Sequence, residues 1–155
     1  MTLSQKEISF LQELKHQEQV CIDKYNRYSA NACDSQLKTL FSQIGQKEQQ
    51  HLDTINQILN GTVPTMGNDS NQNAGSSGAM TPTYQKGTDN EAKQNDNFLC
   101  SDALAMEKYV SDIYNTSIFE FANFGIRNTL NHIQKEEQDH GKKIYDYMAA
   151  NGMYQ

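Results

Sequence analysis

The chain has 155 residues and a mass of 17.6 kDa, enough for one domain of ordinary size or two very small ones. Thirteen Lys and Arg against nineteen Asp and Glu leave a formal charge of −6, and with no Lys/Arg run this argues against nucleic acid as the main partner. No stretch approaches the roughly 18–20 apolar residues of a bilayer span, so no membrane role is expected. The start, MTLSQKE, has no hydrophobic signal region, which makes synthesis and residence in the cytosol the expectation. Three cysteines (Cys21, Cys33, Cys100) form no CxxC pair, which excludes a closed disulfide framework and a Cys-rich zinc site.

Apolar residues then return at helical spacing in four places. The first stripe is Leu11, Leu14, Glu18, Cys21, Tyr25, Tyr28 and Ala32. The second is Leu37, Leu40, Ile44, Glu48, His51, Ile55 and Ile58. A short turn near 31–35 makes the two an antiparallel hairpin, with Asp34 or Ser35 placed to cap the second helix. Residues 61–96 follow, reading GTVPTMGNDSNQNAGSSGAMTPTYQKGTDNEAKQND. They hold both prolines, Pro64 and Pro82, and five of the nine glycines, and they explain a mean hydropathy as low as −0.80. Such a segment buries too little apolar surface to offset its ordering entropy. It reads as a long flexible connection, acceptable in a compact domain if it runs the length of a helical bundle.

The third stripe is Ala103, Glu107, Val110, Tyr114, Ser117, Phe121 and Phe124, with Asn97 as the expected cap. The fourth is Ile126, Leu130, Ile133, Glu137, His140, Ile144 and Tyr147, entered through a turn near 123–125 and stopped by Gly152. Isolated helices of this length are marginal in water, so the seams must pack together. The prediction is an all-α antiparallel four-helix bundle forming a single domain over 1–155. It comprises hairpin 1 (1–60), a flexible crossover (61–96) and hairpin 2 (97–151). A coiled-coil dimer of hairpins is the competing arrangement.

The seams should be apolar, yet each carries one Glu and two carry a His. Glu48-Gln-Gln-His51 and Glu137-Gln-Asp-His140 are both ExxH, and residues three apart share a helical face. Glu18 precedes Glu48 by 30 residues, as Glu107 precedes Glu137. The pattern repeats at an offset of 89, with Asp23/Asp112, Tyr25/Tyr114, Asn26/Asn115, Gln49/Gln138 and Ile55/Ile144 falling on it as well. One hairpin has been duplicated. In each copy the two Glu are equidistant from the turn, about 22 Å along the helix at 1.5 Å per residue. Four carboxylates and two imidazoles therefore converge at one level of the interior.

Carboxylates in a dry core repel each other and lose hydration, at several kcal/mol per ion even after relaxation. No Lys or Arg occupies the seams at that level. Two divalent cations would cancel four negative charges, and neutral His would complete the coordination. A Glu from each of two helices with Glu-x-x-His from the other two is the donor set of di-iron and di-manganese carboxylate bundles. Carboxylate and imidazole suit iron or manganese, and His also suits zinc. The predicted metal ligands are Glu18, Glu48, His51, Glu107, Glu137 and His140. Two bland alternatives are surface Glu and His on polar helices, and protonated, hydrogen-bonded carboxylates in a site that has lost its metal.

Tyr25 and Tyr114 lie seven residues after Glu18 and Glu107, two turns along the same face, where a phenol can donate to a carboxylate and orient it. Glu136 could accept from a ligand His, but Lys47 stands at its place in the first half, so a solvated charge is expected. Asp23 and Asp112 are read as surface, His16 and His132, outside the seam and without a counterpart in the other half, as exposed, and Cys21 as a small buried apolar residue.

The Glu…Tyr…ExxH hairpin, used twice, resembles the ferritin-like superfamily, bacterioferritin and rubrerythrin above all. That resemblance implies bridging roles for Glu48 and Glu137, terminal roles for Glu18 and Glu107, one metal each for His51 and His140, and a crossover running along the bundle. Residues 103–155 resemble the spore coat protein F family of spore-forming bacteria, most specifically in EKYVSDIYNTSIFEF, LNHIQKEEQDHG and the terminal NGMY. This second resemblance implies deposition in the spore coat among other coat proteins, with a homo-oligomer as an option.

The leading expectation is a coat-associated ferritin-like protein with a dinuclear Fe or Mn site. Its rival is an oxidoreductase consuming peroxide in a peroxidase or manganese-catalase-like reaction. Iron storage ranks last, because the chain stops soon after its fourth helix.

Overall fold

The computed structural model describes residues 1–65 and 80–154. Among these residues it has four helices and no strand: α1 (Gln5–Asn31), α2 (Ser35–Leu59), α3 (Glu91–Ile118) and α4 (Phe124–Ala150). Of the expected 61–96 connection, residues 66–79 lie outside the described residues.

Each helix begins where a polar side chain takes up orphan amides of the first turn. Ser4 and Glu7 form a reciprocal capping box on α1. Asp34 accepts from the Gln36 amide at 3.0 Å to cap α2, and Asn123 accepts from Ile126 to cap α4. Gly152, at a φ of 67°, follows the end of α4 as expected.

The start of α3 corrects the sequence reading. The helix opens at Glu91, not 97, and its cap is Asn90, not Asn97. Residues 91–96 are nearly all polar, so their composition resembles a linker. Asp96 supplies what the composition hides. It is fully buried, and its carboxylate accepts from the Cys33 amide at 2.7 Å, the Asp34 amide at 2.9 Å and the Tyr84 hydroxyl at 2.6 Å. The first turns of α3 are thereby tied to the α1–α2 turn.

Cross-helix contacts give the directions. Tyr25 meets Glu107 while Glu18 meets Tyr114, so α1 and α3 run antiparallel. His51 meets Glu136 while Glu48 meets His140, so α2 and α4 do too. With α1–α2 and α3–α4 as hairpins packed along their lengths, α2 and α3 run the same way. Both start at the end where Asp96 sits. The 25-residue α2 is about 37 Å long, so the link leaves at one end of the bundle and re-enters at the other.

The first, second and fourth stripes are buried throughout. The third departs at its end: Phe121 is buried but Phe124 is 77% exposed. The helix stops at Ile118 and the chain turns over 119–123, earlier than the expected 123–125. Phe121 therefore packs from the turn, and Phe124 opens α4 on its outer side. Fully buried Leu11, Leu37, Phe41 and Ile126 each contribute roughly 1.5–3 kcal/mol by leaving water. Gly45 permits a close approach of α1 and α2, since a Cβ there would lie 3.3 Å from that of Tyr25.

One polar clasp crosses this core. Tyr147 on α4 donates to the capping Asp34 at 2.6 Å. Tyr147→Phe is expected to lower stability by about 1–3 kcal/mol, the cost of leaving a buried acceptor short of a donor. Urea denaturation measures it, and an unchanged midpoint would mean that the clasp contributes nothing.

Candidate metal centre

The structure brings all six predicted ligands together. Glu18 comes from α1, Glu48 and His51 from α2, Glu107 from α3, and Glu137 and His140 from α4. None is more than 3% exposed, so these are not surface side chains on polar helices. The i, i+3 spacing of each ExxH pair turns both of its members inward. Their donor atoms form two overlapping groups. One is Glu18, Glu48, His51 and Glu137; the other is Glu48, Glu107, Glu137 and His140; within each group one atom per residue lies within 4.8 Å of all the others. Glu48 and Glu137 belong to both.

Both imidazoles present Nδ1 to the carboxylates. Nδ1 of His51 lies 3.0 Å from Glu48 and 3.0 Å from Glu137, and Nδ1 of His140 lies 3.0 Å from Glu48 and 3.4 Å from Glu137. The two rings stack with centroids 5.8 Å apart.

The tyrosines do what their position predicts, but across the duplication. Tyr25 donates to Glu107, and Tyr114 donates to Glu18. Each phenol thus fixes the single-group carboxylate of the opposite hairpin. Burial, followed by the charge of Glu107 for Tyr25 and of Glu18 for Tyr114, pushes both phenols well above the usual tyrosine range, so they remain donors.

Charge in this pocket is compensated unevenly. Burial, followed by repulsion from Glu48, pushes Glu18 well above the usual carboxylate range. Burial and the charges of Glu107 and Glu48 do the same to Glu137. Burial also opposes ionisation of Glu48, but hydrogen bonds from His140 and His51 outweigh it and hold Glu48 well below that range. For both histidines burial disfavours the cation and the surrounding carboxylates overrule it. His51 is raised to about 10, chiefly through Glu136 and Glu48, and His140 well above its ordinary value, chiefly through Glu107 and Glu137. Even so, Oε2 of Glu18, Glu107 and Glu137 are buried with no hydrogen-bond partner. An unmet buried acceptor costs about 1–3 kcal/mol, and more when charged. Three of them on residues of the two overlapping carboxylate–imidazole groups fit the donor set of a divalent cation.

Two readings of neighbouring residues are corrected. Glu136 is not a free solvated charge. Its Oε2 lies 2.7 Å from Nε2 of His51, while Oε1 lies 2.7 Å from His132 and 3.6 Å from Lys47. Burial opposes its charge, yet the bond to His51 and the nearby cationic groups hold it down to about 2. His132 is accordingly partnered and only 38% exposed, whereas His16 is exposed as expected. The duplication concealed Glu136, because the equivalent residue in the first half has the opposite charge. Its place next to an ExxH glutamate was the available signal. Asp23 and Asp112 are at the surface as expected, and Cys21 is buried beside the centre as a free thiol. Burial, followed by the charge of Glu48, pushes that thiol far above its ordinary range.

No helix among the described residues is long and apolar enough to cross a membrane. No curated protein and no solved structure matches the chain. Residues 95–155, which span α4 and most of α3, match the sequence profile of the Coat F domain.

Proposed function

We propose that the chain is a spore-coat-associated, ferritin-like protein whose bundle core holds two Fe or Mn ions. The observation that carries the metal reading is the pair of overlapping buried groups sharing Glu48 and Glu137. Glu48 and Glu137 would serve both ions, Glu18 and His51 one, and Glu107 and His140 the other. The matched directions of α2 and α3, with the link returning between the bundle ends, support the ferritin-like reading. The Coat F match implies the spore coat as the setting and other coat proteins as neighbours.

Two redox-active ions bound there would supply electron exchange with peroxide; two inert ones would act as a staple between the hairpins. The part of the chain is positional. Tyr25 and Tyr114 hold the carboxylates of Glu107 and Glu18 at fixed angles. The packed seams above and below exclude water, which strengthens every charge interaction in the pocket. The two ExxH pairs aim their donors from α2 and α4, so both hairpins must be docked before the set is complete. That requirement couples metal binding to folding.

The test is metal content together with peroxide consumption for the wild type, Glu48→Ala and His140→Ala, each loaded with Fe(II) or Mn(II). Metal bound with turnover that both substitutions abolish assigns a peroxide-consuming redox enzyme. Metal bound without turnover assigns a structural staple in a coat protein. Failure to retain either metal contradicts the dinuclear reading and leaves the Coat F match standing.

A further inference from the structure

The two halves of the centre are duplicated in their ligands but not in what stands behind them. At the offset of 89, Glu136 of the second half corresponds to Lys47 of the first. Glu136 reaches across from α4 and accepts at 2.7 Å from Nε2 of His51 on α2. The equivalent acceptor for His140 would have to come from position 47, and an ammonium group has no acceptor to offer. Among the described residues, the hydrogen bonds and ion pairs of His140 are all made through Nδ1.

This difference has a direct consequence for ligand quality. A carboxylate on the outer nitrogen fixes the proton on Nε2, leaves the Nδ1 lone pair facing the ion, and raises the basicity of the ring. Glu136 is well placed for this because its second oxygen is itself held, by His132 at 2.7 Å and by Lys47 at 3.6 Å. His51 is therefore oriented from both edges and His140 from one.

We infer that Glu136 makes the two metal positions unequal, so that the position served by Glu18 and His51 binds its ion more tightly than the position served by Glu107 and His140. This rests on the dinuclear reading above. Loss of such an outer partner costs about 10–100-fold in metal affinity, which sets the expected gap.

Two ions sharing Glu48 and Glu137 also repel each other, so stepwise binding in the wild type would not by itself reveal the gap. The comparison therefore uses one ion at a time. Metal-free His140→Ala, which keeps the His51 position, and His51→Ala, which keeps the His140 position, are each titrated with Mn(II), and the free ion is counted by its electron paramagnetic resonance signal. His140→Ala is expected to bind its single ion about 10–100-fold more tightly than His51→Ala. Adding Glu136→Gln, which removes the carboxylate charge but keeps an amide acceptor, to His140→Ala is expected to bring its affinity down toward that of His51→Ala, while Glu136→Gln added to His51→Ala changes little. Circular dichroism on every variant verifies that the helices are intact, and Glu136→Gln in the otherwise wild-type chain provides the same readout should a His→Ala variant fail to fold: its first binding step weakens and its stoichiometry stays at two. Equal affinities in the two single variants, or a first step indifferent to Glu136→Gln, overturn the inequality and leave the centre itself intact. A wild type that binds no Mn(II) overturns the centre instead.

Discussion

Glu48→Ala is expected to empty both metal positions at once, whereas Glu18→Ala and Glu107→Ala each empty one. The asymmetry follows from geometry. Glu48 belongs to both donor groups, with Oε2 3.0 Å from Nδ1 of His51 and Oε1 3.0 Å from Nδ1 of His140. Glu18 and Glu107 each belong to a single group. At a metal concentration 100-fold above the dissociation constant, each occupied site adds about 2.7 kcal/mol to the folded state. Two sites together add about 5 kcal/mol, or roughly 10–20 °C of Tm for a chain of this size. The wild type should show that rise on loading, Glu18→Ala, which keeps only the weaker position, less than half of it, and Glu48→Ala none. Differential scanning calorimetry with and without Mn(II) reads all three. A full rise in Glu48→Ala would mean that the stabilising ions bind elsewhere.

Asp96→Ala is expected to be the most damaging substitution outside the centre. The Asp96 carboxylate is fully buried and accepts from two backbone amides of the α1–α2 turn and from Tyr84. Alanine leaves those donors unmet at about 1–3 kcal/mol each, with partial relaxation giving a loss of roughly 3–5 kcal/mol. Asp96→Asn retains the shape but gives up the charge and one acceptor, and should fall between alanine and wild type. The site lies near the end of the bundle, about 16 Å along α3 from Glu107. Metal stoichiometry at low temperature should therefore be unchanged in both variants. Chemical denaturation with a parallel metal assay makes the distinction, and an Asp96→Ala chain as stable as the wild type would show that the turn satisfies its amides without α3.

The same two regions show what a sequence can and cannot carry. Four buried stripes were legible because packing leaves a 3.6-residue imprint on every turn. The convergence of the six candidate ligands was legible because they break that imprint: a charge on an apolar seam is costly, and the same costly set occurs twice at one offset. The crossing of Tyr25 to Glu107 and Tyr114 to Glu18 was not legible, since spacing along one helix does not say which neighbour a long side chain reaches. The start of α3 was misread because residues 91–96 are helical through the burial of one aspartate rather than through an apolar face. Phe124 was misplaced because a stripe continues on paper after the helix has ended at Ile118. The place of Glu136 is hidden by Lys47 at the equivalent position of the first half, and it depends on an interhelical contact that only the folded chain displays.

The most direct test of the central claim is a count of ions per folded chain. The 155-residue chain, stripped and reloaded with Mn(II) or Fe(II), is weighed intact by native mass spectrometry. Two ions per chain are expected, one in His140→Ala and none in Glu48→Ala. A reloaded wild type that carries no ion would contradict the dinuclear reading.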